Sequence, residues 1–176
     1  YLQEGFCDTW GFRRYALAGA PVPANRQPGW PVVRPIVEAD WPQILALDAP
    51  AFGASREALL HALADRLPEG ALVAESHGSI VGFILGRDGR EARQIGPLVA
   101  GLPAATALIA AALERVAPPV YADIVDREAM LRGWLEARGF VFQRPFTRMV
   151  HGTGQGNARA PGDESRVMLV AGPELG

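Results

Sequence analysis

Lysine is absent from the chain, and all 17 basic residues are arginine. That excludes Schiff-base and phosphate-loop lysine chemistry, and with the abundant Ala, Gly and Pro it points to a GC-rich, bacterial genome. Cysteine is nearly absent too. The single residue, Cys7, rules out an intrachain disulfide and a thiolate cluster for zinc. A reducing compartment, the cytoplasm, is the expected location. An excess of either charge is also missing: 17 basic against 19 acidic residues give a net charge of −2, which excludes binding to nucleic acid or an anionic membrane through a global field. His61, His77 and His151 are scattered, without the spacing of metal ligands, so no metal site is expected. The one long uncharged run, Gln94 to Leu113, is interrupted by Gly96, Pro97, Gly101 and Pro103. It reads as strand, turn and helix, not a membrane span. There is neither an initiating Met nor a basic-then-apolar leader, so the expectation is a fragment or processed chain, not a secretory precursor.

What is present suits a single globular domain: 176 residues, 49% apolar and 20% charged. Residues 19–31 are Pro- and Gly-rich without periodicity and read as a linker. From Val32 the pattern becomes regular. A strand is expected over Val33–Val37 and a helix over Asp40–Leu47 with Pro42 in its first turn. Ser55 is a candidate N-cap for a second helix, whose Leu59, Leu60, Leu63 and Leu67 recur at helical spacing. Ala71–Ser76 and Ser79–Gly86, joined at His77-Gly78, read as an antiparallel hairpin, and Gln94–Ala100 as a third strand. Leu108, Ile109, Ala112, Leu113 and Val116 mark a helix that stops before Pro118-Pro119. Val120–Val125 is a short strand. Asp126 is a candidate N-cap for a helix carrying Met130, Leu131, Trp134 and Leu135, with Gly139 as its stop. Phe140–Val150 and Arg166–Gly172 read as two final strands, with a polar loop between them. The order predicts a mixed α/β, or α+β, single-sheet domain.

An internal repeat adds to this. Tyr1–Tyr15 aligns without gaps on Leu135–Met149, with Gly5/Gly139, Phe6/Phe140, Phe12/Phe146 and Arg14/Arg148 identical. About one identity is expected by chance at ordinary composition. The offset is a domain length, so residues 1–18 are expected to be the tail of a preceding copy of the fold that residues 32–176 form.

The element order, the strand-to-helix junction at Ile95–Thr106, the Tyr1-x-x-x-Gly5-Phe6 signature and its second copy at Leu135–Phe140 resemble the GNAT acyltransferase superfamily. The ending Ala171-Gly-Pro-Glu-Leu-Gly176 resembles C-terminal halves of bacterial tandem-GNAT proteins. The resemblance implies a central, mostly antiparallel sheet flanked by helices. It also implies acetyl-CoA beside the family's fourth strand, held near Leu98, Val99, Gly101, Ala104 and Ala105, and an amine or other small-molecule acceptor. Physically, an anion at a helix N-terminus needs several free N–H groups and the helix dipole. Ala100 stands where the family has Arg or Gln, and Pro103 where it has Gly, which removes one side chain and one donor. A tight strand–helix turn that needs no ligand fits the same residues.

Acetyl transfer requires a base for the amine proton and an acid for the departing thiolate. Leu135 replaces the signature tyrosine and cannot be the acid. Tyr121 is the nearest phenol in sequence, and the resemblance places Asp123 and Asp126 toward the acceptor; a strand-end carboxylate and a helix cap are the plainer roles for those two. Gly53–Glu57 lacks the second glycine of a nucleophile elbow, Gly152–Gly156 reads as a flexible loop, and Arg144 and Arg148 share a strand face at an interface or in solvent. Three functions follow: an N-acetyltransferase using acetyl-CoA; a non-catalytic module of that fold that shapes the acceptor site or dimer contacts of a tandem enzyme, with a second copy of the chain as candidate partner; or an acyl-CoA sensor that binds without turnover.

Overall fold

The computed structural model describes residues 5–151 and 160–175. Eight strands form one sheet: β1 (Phe6–Leu17), β2 (Val32–Pro35), β3 (Leu72–Ser76), β4 (Ser79–Arg87), β5 (Arg93–Ala100), β6 (Val120–Val125), β7 (Val141–His151) and β8 (Val167–Leu169). Their order across the sheet is β2-β3-β4-β5-β8-β6-β1-β7. Every neighbouring pair along that order is antiparallel; β5 and β6 also pair directly, in parallel, over three residues each. Among the described residues four α-helices accompany the sheet: α1 (Trp41–Phe52), α2 (Glu57–Arg66), α3 (Leu102–Leu113) and α4 (Ala129–Glu136).

The period-2 alternation of the strands loads both faces of the sheet. Ile84 and Leu98 point to one side, where they pack with Leu108 and Ile109 of α3 and with Leu131 and Leu135 of α4. Phe83, Leu85 and Val99 point to the other, against Ile44 of α1 and Leu60 and Leu63 of α2. The two-sided burial explains why β4 and β5 read as nearly continuous apolar runs.

Several local expectations are corrected. The first helix does not stop near Leu47. It runs through Pro50 to Phe52 and ends at Gly53, whose φ of +92° is left-handed and whose N–H returns to Ala49 O at 2.9 Å. Asp48, in its last turn, is held bidentately by Arg56 at 2.9 Å. Ser55 is not a cap, because α2 begins at Glu57 after Arg56. Nor does Asp126 cap α4, which starts three residues later with Glu128 at the N-cap position. The Gly152–Gly156 loop and the first four residues of the repeat lie outside the described residues.

The N-terminal segment is part of the sheet. β1 lies inside the sheet, with β6 on one side and β7 on the other. From its end, residues 19–31 cross the α3 face to reach β2 at the far edge, and the Val22 N–H donates to Arg138 O at 3.2 Å on the way.

Candidate acyl-CoA site

The site sought beside the family's fourth strand lies at β5, since β1 adds one strand at the front. β5 and β6 run in parallel contact only over Arg93–Ile95 and Val120–Ala122. Beyond that point they diverge, and β8 lies in the gap. It pairs antiparallel with β5 through Leu98↔Leu169 and Val99↔Val167, and with β6 through Ile124↔Leu169. The Val170 N–H donates to Asp123 O at 3.0 Å. Gly96 makes room for this: its φ is +134°, and a Cβ there would overlap the Val170 carbonyl oxygen. Val167, Met168, Leu169, Val170 and Ala171 are all buried. Leu98 and Val99 therefore face the chain's own C-terminal strand.

At the C-terminal end of β5 the chain turns at Gly101 into α3. Gly101 is exposed, but Ala104 and Ala105 are buried, and the Ala105 N–H already donates to Gly101 O at 2.9 Å. Pro103 has no N–H, so among the helix's first residues only Leu102 and Ala104 retain amides without an intrahelical partner. Thr106 turns its hydroxyl back to the Leu102 and Pro103 carbonyls, at 3.2 and 3.1 Å. An open groove of about 410 Å³ adjoins this turn, lined by Leu102, Pro103, Met130, Trp134, Trp30 and Arg138, among others. Its cation, Arg138, stacks 3.4 Å from the Trp134 ring centre and donates to Trp134 O at 2.8 Å. Burial lowers its pKa from the ordinary guanidinium value.

The acid–base candidates sit in ion pairs. Asp123 is completely buried. Arg14 of β1 grips it through two 2.8 Å hydrogen bonds, and Gln94 Nε2 donates to it at 2.7 Å. The hydrogen bond to Asp123 raises the Arg14 pKa further above its usual value, against the cost of desolvation. Gln94 Oε1 accepts from Arg14 Nη2 at 3.2 Å and from Arg87 Nη2 at 3.5 Å, and Arg87 continues to Glu174 at 2.5 Å. Asp126 is half-exposed and pairs with Arg13 Nε at 2.8 Å; Gly11 lies so close that a Cβ would overlap its carboxylate. Tyr121 donates to Glu91 at 3.5 Å and lies under the Arg14 guanidinium, 4.8 Å from ring centre to Cζ. Leu135 is fully buried in the core.

The structure thus brings Tyr121 and Asp123 into one network and sets Asp126 apart on a separate pair. Sequence reasoning missed that network. Arg14 carried one signal, its identity with Arg148 in the repeat; Gln94, Arg87 and Glu174 carried none, because their meeting depends on long-range strand order. Among the described residues no cluster of His, Cys, Asp and Glu could hold a metal ion, and no helix is long and apolar enough to cross a membrane.

Comparison with known proteins places this architecture. No curated protein sequence matches the chain. Among solved structures, a Pyrococcus horikoshii protein assigned as an acetyltransferase superposes with a TM-score of 0.68 at 22% identity, over 97% of this chain and 53% of its own. A GCN5-related N-acetyltransferase of Sphaerobacter thermophilus gives 0.58 at 20% identity, over 86% and 55%. A GNAT-family acetyltransferase of Colwellia psychrerythraea gives 0.52 at 12%, over 84% and 57%. These identities establish a shared fold, and the chain spans about half the length of each neighbour. The sequence model of the acetyltransferase (GNAT) domain matches residues 44–161. With two-thirds of its length inside that match, the chain belongs to the GNAT acetyltransferase domain family.

Proposed function

We propose that this chain is the non-catalytic half of a two-copy N-acetyltransferase, a cytoplasmic protein that moves an acetyl group from acetyl-CoA to an amine acceptor. In that reading the reacting centre belongs to the preceding copy. One observation carries it: β8 fills the divergence between β5 and β6 and uses the edge of β5 at Leu98 and Val99 that a cosubstrate arm would need.

The chemistry agrees. A base must be able to take the amine proton, yet Asp123 is fully buried and saturated by Arg14 and Gln94. An acid must reach the leaving thiolate, yet Leu135 stands where the phenol belongs, while Tyr1 keeps the phenol in the first copy of the signature. The turn into α3 retains two available amides where anion binding favours several.

Calorimetric titration of the 176-residue chain with acetyl-CoA, with CoA in parallel, tests this. The expected result is no heat of binding at millimolar ligand. A dissociation constant near 1 μM, about −8 kcal/mol, would overturn the assignment and make this half a cosubstrate site.

A further inference from the structure

The register of β1 against β7 has a symmetry that the sequence repeat explains. Phe12 of β1 lies opposite Phe146 of β7, and these two residues are equivalent in the repeat. Their rings stack 5.1 Å apart at 14°. Each strand is thus paired with its own equivalent about a local two-fold at Phe12/Phe146. A two-fold that relates the strands also relates their surroundings. On its far side β1 is covered by β6 over Phe12–Leu17; the equivalent stretch of β7 is Phe146–His151. There β7 is the edge of the sheet. Phe12 is buried at 3% exposure whereas Phe146 is only half-buried.

From this geometry we infer that the outer edge of β7, over Phe146–His151, is the docking surface for the copy of this fold that precedes Tyr1. That copy would contribute its equivalent of β6 and continue the sheet across the two-fold. The inference rests on the two-copy reading above. The two copies exchange strands: β1, sequence-equivalent to β7, completes this sheet, and β7 completes the other. Three further observations fit that occupant. The match spans only 53% and 55% of two structural neighbours' own chains. Pro145, which cannot donate to a strand, falls one residue outside the predicted pairing. Arg14, the equivalent of Arg148, is held by a carboxylate of β6. Among the described residues Arg148 is half-buried and instead has ring contacts, its Cζ 5.1 Å from both the Trp10 and Phe52 centres; Glu164 acts on it through space only, which leaves the guanidinium free to pair with an incoming carboxylate.

Amide hydrogen exchange followed by mass spectrometry tests this, on the 176-residue chain and on the natural protein extended upstream by a domain length. In the longer protein, exchange over Phe146–His151 is expected to slow at least 100-fold, approaching that of Phe12–Leu17, while Val141–Pro145 stays unchanged. Equal exchange over Phe146–His151 in the two proteins would overturn the docking surface. If the upstream segment has no GNAT-type sequence, the two-copy reading itself falls, a failure distinct from an upstream copy that leaves this edge unprotected.

Discussion

Replacing Asp123 by Asn separates a structural carboxylate from a catalytic one. Asp123 has no exposure and Arg14 only 14% at its side chain, so loss of the charge strands a largely desolvated guanidinium between β6 and β7. Breaking such a pair by removing one partner costs about 3–5 kcal/mol. The residual exposure of Arg14, and the Gln94 carbonyl 3.2 Å away that still accepts from it, favour the lower end, about 3 kcal/mol. With a urea m-value of about 2 kcal/mol/M the midpoint should fall by about 1.5 M. Asp126→Asn is the internal control. Its pair with Arg13 is 40–44% exposed, and pairs of that kind contribute no more than about 1 kcal/mol, so its midpoint should move by less than about 0.5 M. Both are read from tryptophan fluorescence and far-ultraviolet circular dichroism along one urea series. The double variant Arg14→Met/Asp123→Leu should recover most of the loss, because neither charge is left unpaired. A midpoint for Asp123→Asn within 0.5 M of wild type would refute the structural role and return Asp123 to the list of candidate bases.

Three other perturbations probe different parts of the molecule. Gly96→Ala places a Cβ against the Val170 carbonyl at a φ of +134°; it should lower the melting temperature and speed amide exchange in β8, at a cost of roughly 1–3 kcal/mol, and an unchanged exchange rate there would contradict the packing described. Arg56→Met leaves the buried Asp48 carboxylate, 1% exposed, without its bidentate partner, and a loss of about 3–5 kcal/mol is expected by urea unfolding. The Asp40 carboxyl is held below its ordinary range, chiefly by hydrogen bonds from Arg34. A depressed native pKa stabilises above the unfolded value of about 3.9 and the effect vanishes as pH falls through the native one. The stability gap between wild type and Asp40→Asn should therefore be level above about pH 5 and close below about pH 4; a gap constant down to pH 2 would exclude the linkage.

The parts of the fold that were legible in the sequence were those governed by local periodicity. The hairpin around His77-Gly78, the strand Val120–Val125 and the helix after Gly101 stand where the pattern put them, because turn residues and alternation act within a few positions. The fold class was legible for the same reason. The N-terminal segment was recognisable as a repeat, but its place between β6 and β7 was not, since nothing local distinguishes a central strand from an edge one. β8 shows the same limit: Val167–Leu169 is evidently apolar and extended, yet which gap it enters is decided by Gly96, seventy residues upstream. Asp126 was misassigned as a helix cap because Arg13, far away in sequence, claims its side chain. The family resemblance also marked Ala100, Pro103 and Leu135 as departures from the family's pattern at the candidate site. It did not show that the chain itself occupies the space beside β5.

Whether a ligand can reopen that space is a matter of competing free energies. The side chains of Val167, Met168, Leu169 and Val170 are each at most 4% exposed, and burying one such side chain is worth about 1.5–3 kcal/mol. Together they hold β8 in place by roughly 6–12 kcal/mol, and the lower figure is the one to use because the displaced strand would not be fully solvated. A ligand with micromolar affinity for the vacated gap, supplied at 1 mM, offers about 4.1 kcal/mol. Even against the lower figure the strand wins by about 2 kcal/mol, a ratio near thirty to one. Acetyl-CoA at 1 mM should therefore leave both the melting temperature and the amide exchange of β8 where they are without it. A rise of several degrees, together with faster exchange over Val167–Val170, would mean that the strand is a displaceable occupant and that this chain opens to acetyl-CoA.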